Sequence, residues 1–220
     1  MVRDLTSGSP LRLIIQFTIP LMCGNFFQQF YNMADSIIVG QFLGVKPLAA
    51  VGATGCLNFL IIGFVLGVCS GFSIPIAQFF GAGDYKSLRR CVANAVWMGI
   101  AMTVVLTTAT VLGCRWILTL LQTPADIFED AYAYIVIIFA GIGTTFLYNL
   151  LSGFLRALGD SRSPLVFLII SSVLNVGLDL LFIAGFHTGV EGAALATVIA
   201  QGISGVLCLF YITNKFPILR

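Results

Sequence analysis

The chain has 220 residues, of which 59% are hydrophobic and 9% charged, with a mean hydropathy of +1.03 and a formal net charge of +2. A soluble domain carries about 25% charged residues and must keep its exterior wetted, so a water-soluble globule of this size has no interior large enough for this much apolar surface. Lipid is the solvent that fits, and the small net charge gives no footing for a nucleic-acid partner.

Charges divide the chain into apolar runs, and about 20 residues suffice to cross the hydrocarbon core as a helix. Six membrane-spanning helices are predicted, over about 13–35, 48–80, 91–113, 131–153, 164–185 and 191–213, forming a single all-α bundle that fills 1–220. The polar lead-in before Arg12 lacks the small-residue cleavage pattern of a signal peptide, so the first run reads as a permanent helix. A β-barrel is excluded, because Phe59-Leu60-Ile61-Ile62-Gly63-Phe64-Val65-Leu66 does not alternate.

The first helix carries Asn25, Gln28, Asn32 and Asp35 within about 80° of one another, with Gln29 beside them. Amides and a carboxylate facing lipid would lack partners, so this stripe is expected to face protein or a water-filled cavity. The amides also read as helix–helix glue, and Asp35 also reads as a residue at the membrane surface. The second helix is longer than one crossing needs, with Pro75 a candidate kink. Its Gly63, Gly67 and Gly71, spaced by four, read as a close-packing stripe. Gly81-Ala82-Gly83-Asp84 reads as a helix end rather than a phosphate loop.

The fourth helix offers Tyr148, Asn149 and Ser152, with Asp126, Glu129 and Asp130 leading into it as ordinary acidic N-terminal residues. Tyr31 and Tyr134 are candidate cavity walls with Phe26, Phe27 and Phe30, suiting amphipathic cations, although most phenylalanines here read as packing or lipid-facing. Pro164 opens the fifth helix, where its missing N–H costs nothing. That helix places Asn175 and Asp179 four apart on one face, amid leucines. No Lys or Arg lies inside any predicted span as a partner, which favours an exchangeable cation or proton there, while a satisfied buried polar cluster is the plainer reading. His187, the sole histidine, reads as a loop residue, and Glu191 as the acidic opening of the sixth helix. The six cysteines are scattered and read as packing residues. No catalytic triad, zinc motif or dinucleotide fingerprint occurs, so an enzyme is not expected and no cofactor is called for.

The basic residues are distributed asymmetrically. With six crossings, Arg3, Arg12, Lys86, Arg89, Arg90, Arg156, Arg162, Lys215 and Arg220 fall on one side, against Lys46 and Arg115 on the other. The positive-inside bias then places both termini of a multi-pass cytoplasmic-membrane protein in the cytoplasm.

Several segments together resemble the N-terminal half of a MATE (multidrug and toxic compound extrusion) transporter. They are Pro20 to Gly40 running into Leu48-Ala49-Ala50-Val51-Gly52, then Gly81-Ala82-Gly83-Asp84 with Arg89-Arg90, then Gly153-Phe154-Leu155-Arg156-Ala157-Leu158-Gly159-Asp160 with Pro164. Asn175-Val176-Gly177-Leu178-Asp179 and the stretch from Gly189 to Thr197 complete the match. The resemblance implies one six-helix lobe of an antiporter that expels small amphipathic organic cations in exchange for Na⁺ or H⁺. It implies roles in cation coupling or substrate binding for Asp35, Asn175 and Asp179 (a Na⁺ site in some members), with Asn149 or Ser152 from the fourth helix. Asn32, Gln28 and Tyr31 are further candidates on the first helix. The family has about twelve helices, so the resemblance also implies a missing C-terminal six-helix lobe or a second copy of the chain as partner, and a fragment is the favoured reading. A lipid-linked oligosaccharide flippase of the same superfamily would need basic residues in its cavity. A non-transporting membrane interaction protein is the remaining alternative.

Overall fold

The computed structural model describes residues 10–216. Arg3 and Arg220 of the charge count, the polar lead-in and the last residues of the expected inter-lobe link lie outside this range. Among the described residues the chain forms seven α-helices: α1 (Pro10–Phe42), α2 (Val45–Gly81), α3 (Tyr85–Leu120), α4 (Phe128–Ala140), α5 (Ile142–Ala157), α6 (Arg162–Asp179) and α7 (Val190–Lys215). A π-helical turn, Leu180–Gly185, extends α6 directly after Asp179.

Each predicted span has its helix, but α1 and α3 run seven residues past their predicted ends, to Phe42 and Leu120, because a single charge such as Asp35 or Arg115 does not break a helix, and the other differences also have local causes. α3 starts six residues before its predicted span, because Asp84 accepts a hydrogen bond from the Ser87 amide at 3.1 Å and nucleates the helix there. Lys86, Arg89 and Arg90 are helical residues rather than loop. The fourth predicted span is two helices, α4 and α5, bent by 46° at Gly141. Glycine adds backbone freedom there, and it also admits α7: a Cβ on Gly141 would collide with the side chain of Val198. α1 and α2 run on through Pro20 and Pro75.

Four helical segments are long and apolar enough to cross a bilayer: Val45–Gly81, Tyr85–Leu120, Arg162–Gly185 and Val190–Lys215. The bent α4–α5 pair makes a fifth. α1 has the length but carries Asn25, Gln28, Gln29, Asn32 and Asp35, which lower its hydropathy. Large apolar side chains such as Phe59, Trp97, Leu112 and Phe210 stand exposed on the outside of the bundle, where lipid would cover them.

α7 is the central helix, packed on α4, α5 and α6, while α2 packs on α5 and α1 on α6. Its inward residues are small (Gly192, Ala193, Ala194, Ala196, Ala200, Ser204 and Gly205), which lets three neighbours approach it closely. The α2 glycine stripe does not do this. A Cβ on Gly63, Gly67 or Gly71 would meet nothing within 4 Å among the described residues, so the close-packing reading of that stripe is corrected. Spacing by four identifies a face but not whether the face is covered. The chain order brings the start of α1, the α2–α3 and α5–α6 corners and the end of α7 to one end of the bundle, with Lys86, Arg89, Arg90, Arg162 and Lys215; Lys46 and Arg115 lie at the other.

Candidate functional site

Toward the end of the bundle that carries Lys46 and Arg115, α1 contributes Asp35, α6 contributes Asn175 and Asp179, and α7 contributes Thr197. All three acidic and amide groups are buried, Asp35 at 8% exposure and both Asn175 and Asp179 at 0%. The Asp35 and Asp179 carboxyls lie against one another. Both Asp179 carboxyl oxygens, Asp35 Oδ1 and Asn175 Oδ1 have no hydrogen-bond partner among the described residues. Two ionised carboxylates are acceptors only, so their contact calls for a proton or a cation between them.

The rest of the shell positions these groups. Thr197 Oγ1 accepts from the Tyr31 hydroxyl and from Asn175 Nδ2, both at 3.2 Å. That pair of bonds orients the Asn175 carbonyl oxygen away from Thr197. Tyr134 of α4, buried at 6%, lies beside Asp35, Tyr31 and Asp179. Four helices therefore converge on the carboxyl pair. Below it sits a cavity of about 20 Å³ walled by Gln28, Tyr31, Tyr148, Asn149, Ser171, Ser172 and Gln201, large enough for one water. Asn149 Nδ2 donates to the Thr145 carbonyl at 2.8 Å, and Tyr148 donates to the Pro164 carbonyl at 3.1 Å, which fixes two of these walls.

The sequence-derived candidates are thus divided. Asp35, Asn175, Asp179 and Tyr31 meet in one cluster, and Gln28 and Asn149 reach the adjoining cavity. Ser152 is buried farther along α5, close to Tyr148 and Cys208, and does not line that cavity. Asn25, Gln28, Gln29 and Asn32 are exposed, so of the predicted stripe only Asp35 is buried in protein, while Gln28 reaches the cavity from an exposed position. Phe26, Phe27 and Phe30 are exposed as well, at 61%, 43% and 62%, and are not walls of the buried site. Arg156, just beyond the predicted end of the fourth span, belongs to the last turn of α5 and lies half-buried beside Tyr148 and Cys69. His187 is an exposed loop residue with φ of 53°. Among the described residues no three His, Cys, Asp or Glu side chains form a metal cluster.

Sequence reasoning missed Thr197, Ser171 and Gln201. Thr197 and Gln201 are four apart on α7, as Ser171 and Asn175 are on α6. A search for polar pairs at that spacing, extended from amides to hydroxyls, would include them among many other threonine and serine positions without singling them out.

Comparison with known proteins converges on one family. The family model described as MatE matches residues 20–181. The chain is 34% identical over 209 residues to "Probable multidrug resistance protein YpnP" of Bacillus subtilis (strain 168), covering 95% of this chain and 47% of that protein. Its fold superposes with a TM-score of 0.90 on a MOP superfamily transporter from Pyrococcus furiosus whose binding pocket is described as of reverse polarity (28% identity, 96% of this chain, 47% of that one). A multidrug resistance MATE family transporter in an outward-facing conformation gives a TM-score of 0.88 at 28% identity, over 94% of this chain and 46% of that one. The chain spans about half the length of the curated relatives it matches.

Proposed function

The chain belongs to the MatE family, whose members are membrane transporters and not enzymes, and on that premise we propose that it forms the N-terminal six-helix lobe of a multidrug exporter driven by entry of Na⁺ or H⁺. In this reading α1 is the sixth crossing, and the basic residues gathered at one end of the bundle support a cytoplasmic placement of both ends of the chain. The cargo is an amphipathic organic cation, and a second lobe, from a longer chain or a second copy, completes the cleft.

The observation that supports this reading most strongly is the buried contact between the Asp35 and Asp179 carboxyls, with oxygens left unpartnered beside Asn175. Oxygen donors suit a hard monovalent cation, and the same pair serves equally as a shared-proton site. Loading the pair with a cation removes like-charge repulsion between α1 and α6. Export is obligatory when the cation and the organic cargo stabilise different states of the lobe, since a ligand shifts an equilibrium only by its differential affinity. Asn175, Thr197 and Tyr31 orient the pair, and the water-sized cavity at Gln28, Asn149 and Gln201 adjoins it as a hydrated path.

The test is Asp179→Asn in a full-length transporter carrying this lobe, assayed by uptake of an ethidium-like dye into inverted vesicles. Ion-driven uptake should be lost while the protein is still expressed and inserted. Uptake that remains driven by both a Na⁺ and a pH gradient would remove Asp179 from the coupling site.

A further inference from the structure

A second cavity, of about 190 Å³, opens where α1 begins, α5 turns into α6 and α7 ends. Leu13 and Phe17 of α1 form an apolar wall, and Arg162, Ser163, Tyr211 and Lys215 form a polar one. Asp160 also borders it, but that carboxylate is engaged by the protein. It accepts from the Arg162 amide at 3.2 Å, the Ser163 amide at 3.1 Å, the Ser163 hydroxyl at 2.7 Å and the Tyr211 hydroxyl at 3.2 Å. Tyr211 is held in turn by an edge-on contact with Phe167, ring centres 5.6 Å apart. The two cations are left facing the opening. Arg162 is exposed and has no ion pair among the described residues. Lys215 is exposed and donates to the Tyr211 hydroxyl rather than to an acid. The one ion pair described, Arg115 with Glu129, lies at the opposite end of the bundle.

The chemistry of the two walls selects the ligand. The Ser163 and Tyr211 hydroxyl protons are given to Asp160, so the donors left for a ligand are the Arg162 guanidinium and the Lys215 ammonium, which suit a phosphate-type anion. The wall of Leu13 and Phe17 adjoins the exposed apolar flank of α1 at Leu11 and Ile14, which faces outward into the bilayer. A free phosphate gains nothing from that wall, whereas a diacyl lipid lays its chains along it. The cavity also lies level with the helix ends, in the headgroup region, at the end that carries Lys86, Arg89 and Arg90. We propose that this cavity is a binding site for the phosphodiester headgroup of an anionic phospholipid in the leaflet at that end, held by Arg162 and Lys215 with its chains along the start of α1. Anionic lipid there ties the α5–α6 corner and the end of α7 to α1.

The whole chain, purified in a mild detergent, provides the test by native mass spectrometry with phosphatidylglycerol, phosphatidylcholine or inorganic phosphate added. Phosphatidylglycerol should be retained over phosphatidylcholine by roughly tenfold or more, in line with two basic side chains meeting an anionic headgroup. The double variant Arg162→Gln, Lys215→Gln should reduce that preference to near parity, Arg162→Gln alone should reduce it in part, and Lys46→Gln at the opposite end should leave it unchanged. All three change exposed side chains, and a thermal melt confirms that each is folded. Equal retention of the two lipids by the unaltered chain, or an undiminished preference in the double variant, would overturn the proposal. Displacement of phosphatidylglycerol by inorganic phosphate would overturn it too, because the cavity would then belong to a small anion.

Discussion

Thr197 holds two donors on one oxygen, the Tyr31 hydroxyl and the Asn175 amide. Thr197→Val keeps the shape and removes the acceptor, stranding two buried donors next to the acid pair. Cation-driven transport in a full-length protein should fall by about tenfold or more, as expected for losing hydrogen bonds beside charged groups. Thr197→Ser should restore it, and equal rates for both variants would reduce Thr197 to packing. Asp160 gives a pH-dependent prediction outside the membrane. Burial opposes its ionisation, but the Ser163 hydroxyl and amide and the Tyr211 hydroxyl outweigh that and hold the carboxyl below the usual carboxylate range. With the folded value below the unfolded one, its stabilisation is present above the ordinary carboxylate range and is lost as pH falls through the depressed value. Acidification below about pH 4 should therefore lower the thermal midpoint more in the unaltered chain than in Asp160→Asn. At this scale the sequence was most legible where charge met apolarity. Asp179 among leucines and Asp35 at the end of a polar stripe could be found because lipid tolerates neither unaided. Thr197 could not be singled out, because threonine is common in apolar helices and bonds readily to their own backbone. The exposure of Asn25 and Asn32 depends on what packs against α1, which no single helix encodes.

The end of α2 at the Gly81–Gly83 turn and the start of α7 at Glu191 were legible, but the boundaries drawn at Asp35, Arg90 and Arg115 were not, because the helices run through those charges to Phe42, from Tyr85 and to Leu120. The bend between α4 and α5 was not, since Gly141 lies within an unbroken apolar run and its effect comes from Val198 on another helix. The two kinds of glycine give opposite predictions. Gly141→Ala drives a methyl into Val198 and should destabilise the chain by about 1–3 kcal/mol, the usual cost of overpacking. Gly67→Ala meets nothing within 4 Å and should be neutral or stabilising, by up to about 1 kcal/mol of helix propensity. Thermal melts of the two variants in the same detergent check both. A destabilised Gly67→Ala chain would mean that the α2 stripe is packed after all.

As a whole, the molecule is an asymmetric bundle. Its core gathers on α7, its acid pair is enclosed by α1, α4, α6 and α7, and α1 turns amides outward at Asn25, Gln29 and Asn32. Under the proposed function, this exposed amide face lines a water-filled cleft shared with a second lobe. The resemblance grouped Asp35, Asn175 and Asp179 as expected site residues, but the enclosure of the pair by Tyr134 and Thr197 required the tertiary arrangement. The central claim is that the Asp35–Asp179 pair holds one exchangeable cation, and carboxyl-band infrared difference spectroscopy of the purified chain, on adding Na⁺ or stepping the pH, tests it most directly. The account predicts a carboxyl-band change in the unaltered chain that disappears in the double variant Asp35→Asn, Asp179→Asn. The same band change in the double variant would contradict it.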